Sequence, residues 1–190
     1  YYWTAPFAFI DHTTTSYYAT YINADFVSKF SNTDVRNLFV ASSTITNPAD
    51  FRRYTTRKFK FNFGSDVPLI RTAEMILIDA EALARTPGKE AEAHDLLYAL
   101  QKNRDANAVK STNTGAALID EILLERRKEL YAENGVEWFD AKRLRKGITR
   151  TGNHRIFKNL SADDKRFFLK VPQSEIDANE SIDDTVNKDR

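Results

Sequence analysis

The chain has 190 residues, which is enough to bury the core of one domain. Lys and Arg number 28 against 27 Asp and Glu, so the net charge of +1 gives no electrostatic basis for binding nucleic acid or an anionic membrane. The absence of cysteine excludes a disulfide framework, a thiolate nucleophile and thiolate metal ligands.

Residues 1–66 are predicted to form a loop-rich, aromatic segment that packs on the helices after it. Turn-forming residues such as Asn47-Pro48 interrupt this segment. Short β-prone runs lie between the turns, at residues 7–10, 17–22 and 58–63. Residues 34–39 favour one short helical turn, with Thr33 or Asp34 as its cap.

A strong helical pattern begins at Val67, with Pro68 in the first turn and Pro87-Gly88 as the stop signal. Apolar side chains recur at three- and four-residue steps, at Leu69, Ala73, Ile76, Leu77, Ala80, Leu83 and Ala84. A second helix is predicted from about Lys89 to Asn103. Only a short turn separates the two helices, so we expect a tetratricopeptide-like helix hairpin.

A third helix is predicted over residues 118–130, and a short fourth helix contains Trp138 and Phe139 beyond the break at Asn134-Gly135. Ser174 is expected to cap a last helical turn. The fold class is therefore mainly α, with helix hairpins and few short strands. Residues 67–190 would form one helical region.

Charged residues are dense in the third and fourth helices. We expect a structural ion network that contains Glu125, Arg126, Glu129, Asp140 and Arg143. A general acid needs an unpaired carboxyl group with a raised pKa, whereas carboxylates among so many bases have a lowered pKa. The pattern therefore favours a brace between helices, and no catalytic residue is predicted.

Four ordered segments resemble motifs of the SusD/RagB family of outer-membrane nutrient-binding lipoproteins. Residues 67–82 are similar to its P-L-I-R-x-A-E helix, and residues 99–104 to its L-N-x-x-R element. Residues 125–130 with 138–143 resemble its E-R-R-x-E-L and W-F-D-x-K-R pair. Residues 171–176 with Asn179 resemble its closing I-P-x-S-E-I-x-x-N.

The resemblance covers residues 67–180 and implies the C-terminal portion of a longer lipoprotein. Such a protein would lie on the outer face of the outer membrane of Bacteroidetes-type bacteria, held by a lipid anchor that this chain does not contain. The resemblance further implies that it binds a glycan or another nutrient and passes it to a TonB-dependent, SusC-like transporter. No cofactor is implied.

Aromatic side chains near the N-terminus are the predicted ligand-binding residues, because sugars present apolar C–H faces that pack on rings. The candidates are Tyr2, Trp3, Tyr17, Tyr18 and Tyr21. Polar neighbours such as Asn23 and Asp25 could bind sugar hydroxyls. The alternative is that these rings simply form a core beneath long loops.

Two further functions remain open from the residues alone. A helical-repeat scaffold that binds a protein partner would explain the helices of residues 67–147. A glycoside hydrolase would require two carboxylates that face each other across a pocket, and no sequence pattern places two of them so. The three histidines are isolated in the sequence, which argues against a zinc site.

Overall fold

The computed structural model describes residues 21–58 and 68–188, and within these ranges the chain is mainly helical with two short strands. The predicted fold class is confirmed. The described helices are α1 (Ala24–Val27), α2 (Thr72–Ala84), α3 (Glu90–Arg104), α4 (Gly115–Leu130), α5 (Val136–Arg143) and α6 (Gln173–Ala178). None of these helices is long and apolar enough to cross a membrane.

The described residues fall into two compact units. The first extends to Val136 and includes Thr151–Arg155, and the second comprises Glu137–Arg150 and the chain from Ile156 onward.

The main core of the first unit lies between α2, α3 and α4. Its buried side chains are Ala73, Leu77, Ala80, Ala84, Ala93, Leu97, Leu100, Leu118 and Ile122. Ala80 and Ala93 are fully buried, and such small residues allow helices to approach closely. Glu81 and Arg85, four residues apart, form an ion pair at 2.8 Å, and Gly88 has a φ of +79° in the turn between α2 and α3.

The predicted start of the first long helix near Pro68 is wrong, because α2 begins at Thr72. Leu69 and Ile70 are each 74% exposed, so packing against the core does not stabilise a helical conformation there. The Asn134 side chain donates hydrogen bonds to the carbonyls of Pro68 at 3.1 Å and Leu69 at 2.8 Å. The Asn134 amide therefore satisfies two carbonyl oxygens that would accept backbone hydrogen bonds if the helix began at Pro68.

Strands β1 (Phe39–Ala41) and β2 (Tyr54–Thr56) form a two-stranded antiparallel sheet, with Phe39 opposite Thr56. Neither strand was predicted, and the helical turn predicted at residues 34–39 is wrong. Asp34 instead accepts a hydrogen bond from the backbone N–H of Arg36 at 2.9 Å, and the chain then enters β1. Of the predicted β-prone runs, 7–10, most of 17–22 and most of 58–63 lie outside the described residues, and within the described part Ile22 forms an isolated antiparallel bridge with Tyr54.

A second core in the same unit is aromatic and joins residues 21–58 to the end of α4. Phe26, Phe30, Phe39 and Tyr131 pack with ring centroids between 4.9 and 6.2 Å apart. The Tyr131 hydroxyl is hydrogen-bonded to the Thr56 hydroxyl at 2.9 Å, which satisfies both buried polar groups.

The second unit is built from α5, α6 and two 3₁₀ turns at Lys165–Phe167 and Asp184–Asn187. The rings of Trp138 and Phe167 lie 4.8 Å apart. The Asn187 side chain bonds the backbone N–H and carbonyl of Val171, both at 2.8 Å. The predicted Ser174 cap is wrong: Pro172 precedes α6, and no side chain caps it.

Candidate functional site

Glu129 is the centre of a buried ion network in the first unit. Its carboxylate accepts hydrogen bonds from Arg36 at 2.9 Å, Arg71 at 2.8 Å and Arg104 at 2.9 Å. Arg36 comes from the segment before β1, Arg71 immediately precedes α2, and Arg104 ends α3. One carboxylate on α4 therefore binds three separate parts of the chain.

Glu133 and Asp34 extend this network on either side. Glu133 pairs with Lys58 at 2.5 Å and with Arg71 at 2.9 Å. Asp34 pairs with Arg36 at 2.8 Å and with Lys128 at 3.0 Å. The network thus ties the irregular segment before the long helices to α4.

The basic partners keep the carboxylates of Glu129 and Asp34 ionised. Burial alone raises the pKa of Glu129, but hydrogen bonds from Arg104 and Arg71 outweigh it and lower the pKa to about 2. Burial opposes the ionised form of Asp34 as well, and hydrogen bonds from Arg36 bring its pKa to about 2. Neither carboxyl group holds a proton near neutral pH, so neither can act there as a general acid.

The structure brings some of the sequence-predicted ionic residues together and places others in pairs. Glu125 joins the network through Arg36 at 2.7 Å, alongside Glu129. Arg126 reaches Glu74 on α2 at 2.8 Å. In the second unit, Asp140 and Arg143 pair with each other at 2.8 Å.

Sequence reasoning missed the partners that come from distant parts of the chain: Asp34, Arg36, Lys58, Arg71 and Arg104. Arg71 and Arg104 each occupy the arginine position of a motif quoted above, which is the one signal that could have identified them. A cavity of about 270 Å³ is lined in part by Arg36, Lys58, Arg71 and Arg104. The arginines at its wall are all bonded to the carboxylate of Glu129.

Tyr21, the one predicted ligand-binding residue within the described ranges, belongs to an aromatic surface of the first unit. Its ring meets the ring of Phe51 edge-on, with centroids 5.6 Å apart. The guanidinium groups of Arg52 and Arg155 lie 5.6 and 5.3 Å from the Phe51 centroid. The other four candidates, Tyr2, Trp3, Tyr17 and Tyr18, lie outside the described residues.

Residues 151–155 are fixed to this surface, which we call the Tyr21 platform (Tyr21, Phe51, Arg52 and Arg155). Asn153 is 4% exposed, and its side chain accepts from the backbone N–H of Ala24 and donates to the carbonyl of Asp50, both at 2.8 Å. The Asn23 side chain donates to the carbonyl of Thr151 at 2.7 Å. Arg155 is therefore attached to a loop that is held on both sides.

Gly152 permits the close approach of this loop. Its φ is +65°, a conformation that L side chains rarely adopt. A Cβ at this position would lie 2.8 Å from Cγ of Asp25 and 2.9 Å from Oδ1 of Asn23. A larger residue would be strained at this φ, and the side chains of Asp25 and Asn23 would have to shift.

The two arginines of the platform differ in charge balance. Arg52 forms a two-bonded pair with Asp50, at 3.0 Å from Nε and 2.8 Å from Nη2. Arg155 is exposed, and within residues 21–58 and 68–188 no carboxylate forms a salt bridge with it. Across the same described ranges, no group of three or more histidines and carboxylates is placed to hold a metal ion.

Comparison with known proteins identifies the family. A profile described as the SusD family matches residues 12–187. A solved SusD-like carbohydrate-binding protein from Bacteroides vulgatus is similar with a TM-score of 0.74 and 24% identity, over 96% of this chain and 44% of that one. A candidate sugar-binding protein from the same species has a TM-score of 0.63 and 24% identity, over 87% of this chain and 37% of that one.

No curated protein matches the chain significantly. The chain spans less than half the length of the two solved structures, and at their level of identity the likeness shows the fold alone. The family profile, however, covers 12–187 of the 190 residues. The chain belongs to the SusD family.

Proposed function

We propose that this chain is part of a cell-surface protein that binds a glycan, leaves it chemically unchanged and delivers it to a TonB-dependent outer-membrane transporter. The observation that carries the proposal is the Tyr21 platform, in which a partly exposed tyrosine and phenylalanine are fixed beside polar groups. Family membership and the carbohydrate-binding description of one similar protein support the same ligand class.

The chemistry of sugars suits such a surface. The C–H face of a hexose packs against an aromatic ring, while hydroxyl groups need hydrogen-bond partners at the rim. Tyr21 and Phe51 provide the rings, and Arg52 and Arg155 provide donors beside them. Tyr2, Trp3, Tyr17 and Tyr18 belong to the same proposal as further rings.

Binding without turnover is supported by the ionised state of two buried acids. Glu129 and Asp34 are surrounded by basic partners and have a pKa of about 2, which suits bracing and opposes proton donation. The outward-facing position on the outer membrane, the lipid anchor and the SusC-like transporter enter this proposal through family membership.

The experiment is isothermal titration of the full-length protein with a panel of oligosaccharides, followed by Tyr21→Ala. Loss of roughly 50 Å² of ring contact at about 25 cal/mol/Å² costs about 1.2 kcal/mol, or about an eightfold loss of affinity. Tyr98→Ala is the matched control, because Tyr98 is a similarly half-buried tyrosine on α3. Equal affinities for the two variants would contradict the proposal.

A further inference from the structure

We infer that the glycan is acidic, with a uronate carboxylate or a sulfate ester that Arg155 binds. This inference rests on the proposed function and names the ligand class of the same platform.

The arginines of the first unit differ in whether a carboxylate neutralises them. Arg36, Arg71 and Arg104 are bonded to buried carboxylates, and Arg52 is neutralised by Asp50. Arg155 lies at the same surface without a salt bridge to any carboxylate in the described part of the chain. Its guanidinium donors are therefore available to an anion from outside.

Arg155 lies close to the aromatic rings of the Tyr21 platform. The guanidinium lies 5.3 Å from the Phe51 ring centroid, and the Tyr21 ring lies 5.6 Å from that same centroid. One short oligosaccharide can therefore contact the Tyr21 ring and reach Arg155. A neutral sugar could accept hydrogen bonds from Arg155 through its hydroxyl groups but would leave the positive charge without a counter-ion.

Arg155 is held in place by the Phe51 ring and by the loop that carries it. A guanidinium matches a carboxylate or sulfate through two parallel hydrogen bonds, provided that its plane is held in place. The Phe51 ring lies against it, and Asn153 fixes the loop two residues earlier through bonds to Ala24 and Asp50. Less conformational freedom is then lost on binding.

The test is titration of the full-length protein with oligogalacturonate, its methyl-esterified neutral counterpart and a sulfated carrageenan oligosaccharide. We expect at least one charged ligand to bind about 5- to 10-fold more tightly than the neutral one, the range for an exposed charge-assisted contact. The charged ligand whose affinity depends on Arg155 identifies the anion as carboxylate or sulfate.

Variants make the assignment specific. Arg155→Gln should lower affinity for the charged ligand about 5- to 10-fold and change affinity for the neutral one less than twofold. Arg57→Gln, which removes another exposed arginine after β2, is the control for overall charge and should change both affinities less than twofold. Arg155→Lys should fall between wild type and Arg155→Gln, because it keeps the charge and loses the two-bonded geometry.

Two results would overturn the inference, and they are distinguishable. If neutral and charged ligands bind equally, or Arg155→Gln leaves charged-ligand affinity within twofold, acidic recognition fails while glycan binding stands. If no oligosaccharide of either kind binds, the proposed function fails as well.

Discussion

Replacing Glu129 with Gln should destabilise the protein more than any exposed charge substitution. The Gln side chain keeps the size of Glu but removes the charge that holds Arg36, Arg71 and Arg104. The Arg36 side chain is only 12% exposed, so water cannot fully replace the lost partner. The variant would leave three guanidinium groups around a neutral amide.

The expected loss of unfolding free energy follows from the lowered pKa of Glu129 and from the cost of breaking a buried ion pair. The pKa of Glu129 falls from its ordinary value of 4.5 to about 2, which corresponds to about 3 kcal/mol of stabilisation. Removing one partner of a buried ion pair costs about 3–5 kcal/mol. We therefore expect the free energy of unfolding to drop by about 3–4 kcal/mol.

Urea denaturation of the full-length protein at pH 7, followed by circular dichroism, measures this change. Glu92→Gln is the control, because Glu92 pairs with Lys89 at 2.5 Å while both side chains are about half exposed. Such a pair contributes about 0–1 kcal/mol. A loss of less than 1 kcal/mol for Glu129→Gln would refute the view that the buried network braces this unit.

Two other predictions concern the network and the platform. Because the pKa values of Glu129 and Asp34 are lowered to about 2, their stabilisation is present above about pH 4.5 and is lost as the pH falls towards 2. The urea midpoint should thus decline below pH 4.5, and less so in Glu129→Gln. Gly152→Ala should weaken glycan binding and lower the thermal midpoint by several degrees, because its Cβ would clash with Asp25 and Asn23. Unchanged binding and midpoint would argue against a fixed loop.

The long helices were predictable because their signals are local. The second predicted helix, Lys89 to Asn103, differs from α3 by one residue at each end. The start of α2 was not predictable, since the apolar Leu69 fits the helical period while long-range bonds from Asn134 hold that stretch outside the helix. Strands β1 and β2 were missed for the same reason: their stability depends on pairing with each other.

The sequence predicts which kinds of residue form the candidate site. It does not predict which distant residues come together there. Tyr21 could be proposed from aromatic content, and Glu125 and Glu129 from charge spacing. Arg155 could not, because its place beside Phe51 depends on bonds between residues more than 100 positions apart. Contacts of that sequence separation leave no periodic signal.

The most direct measurement is a crystal structure of the full-length protein with a bound acidic oligosaccharide. The account predicts a sugar ring packed against Tyr21 and an anionic group within hydrogen-bond distance of Arg155. An oligosaccharide bound at another surface, with both side chains free of ligand, would contradict it.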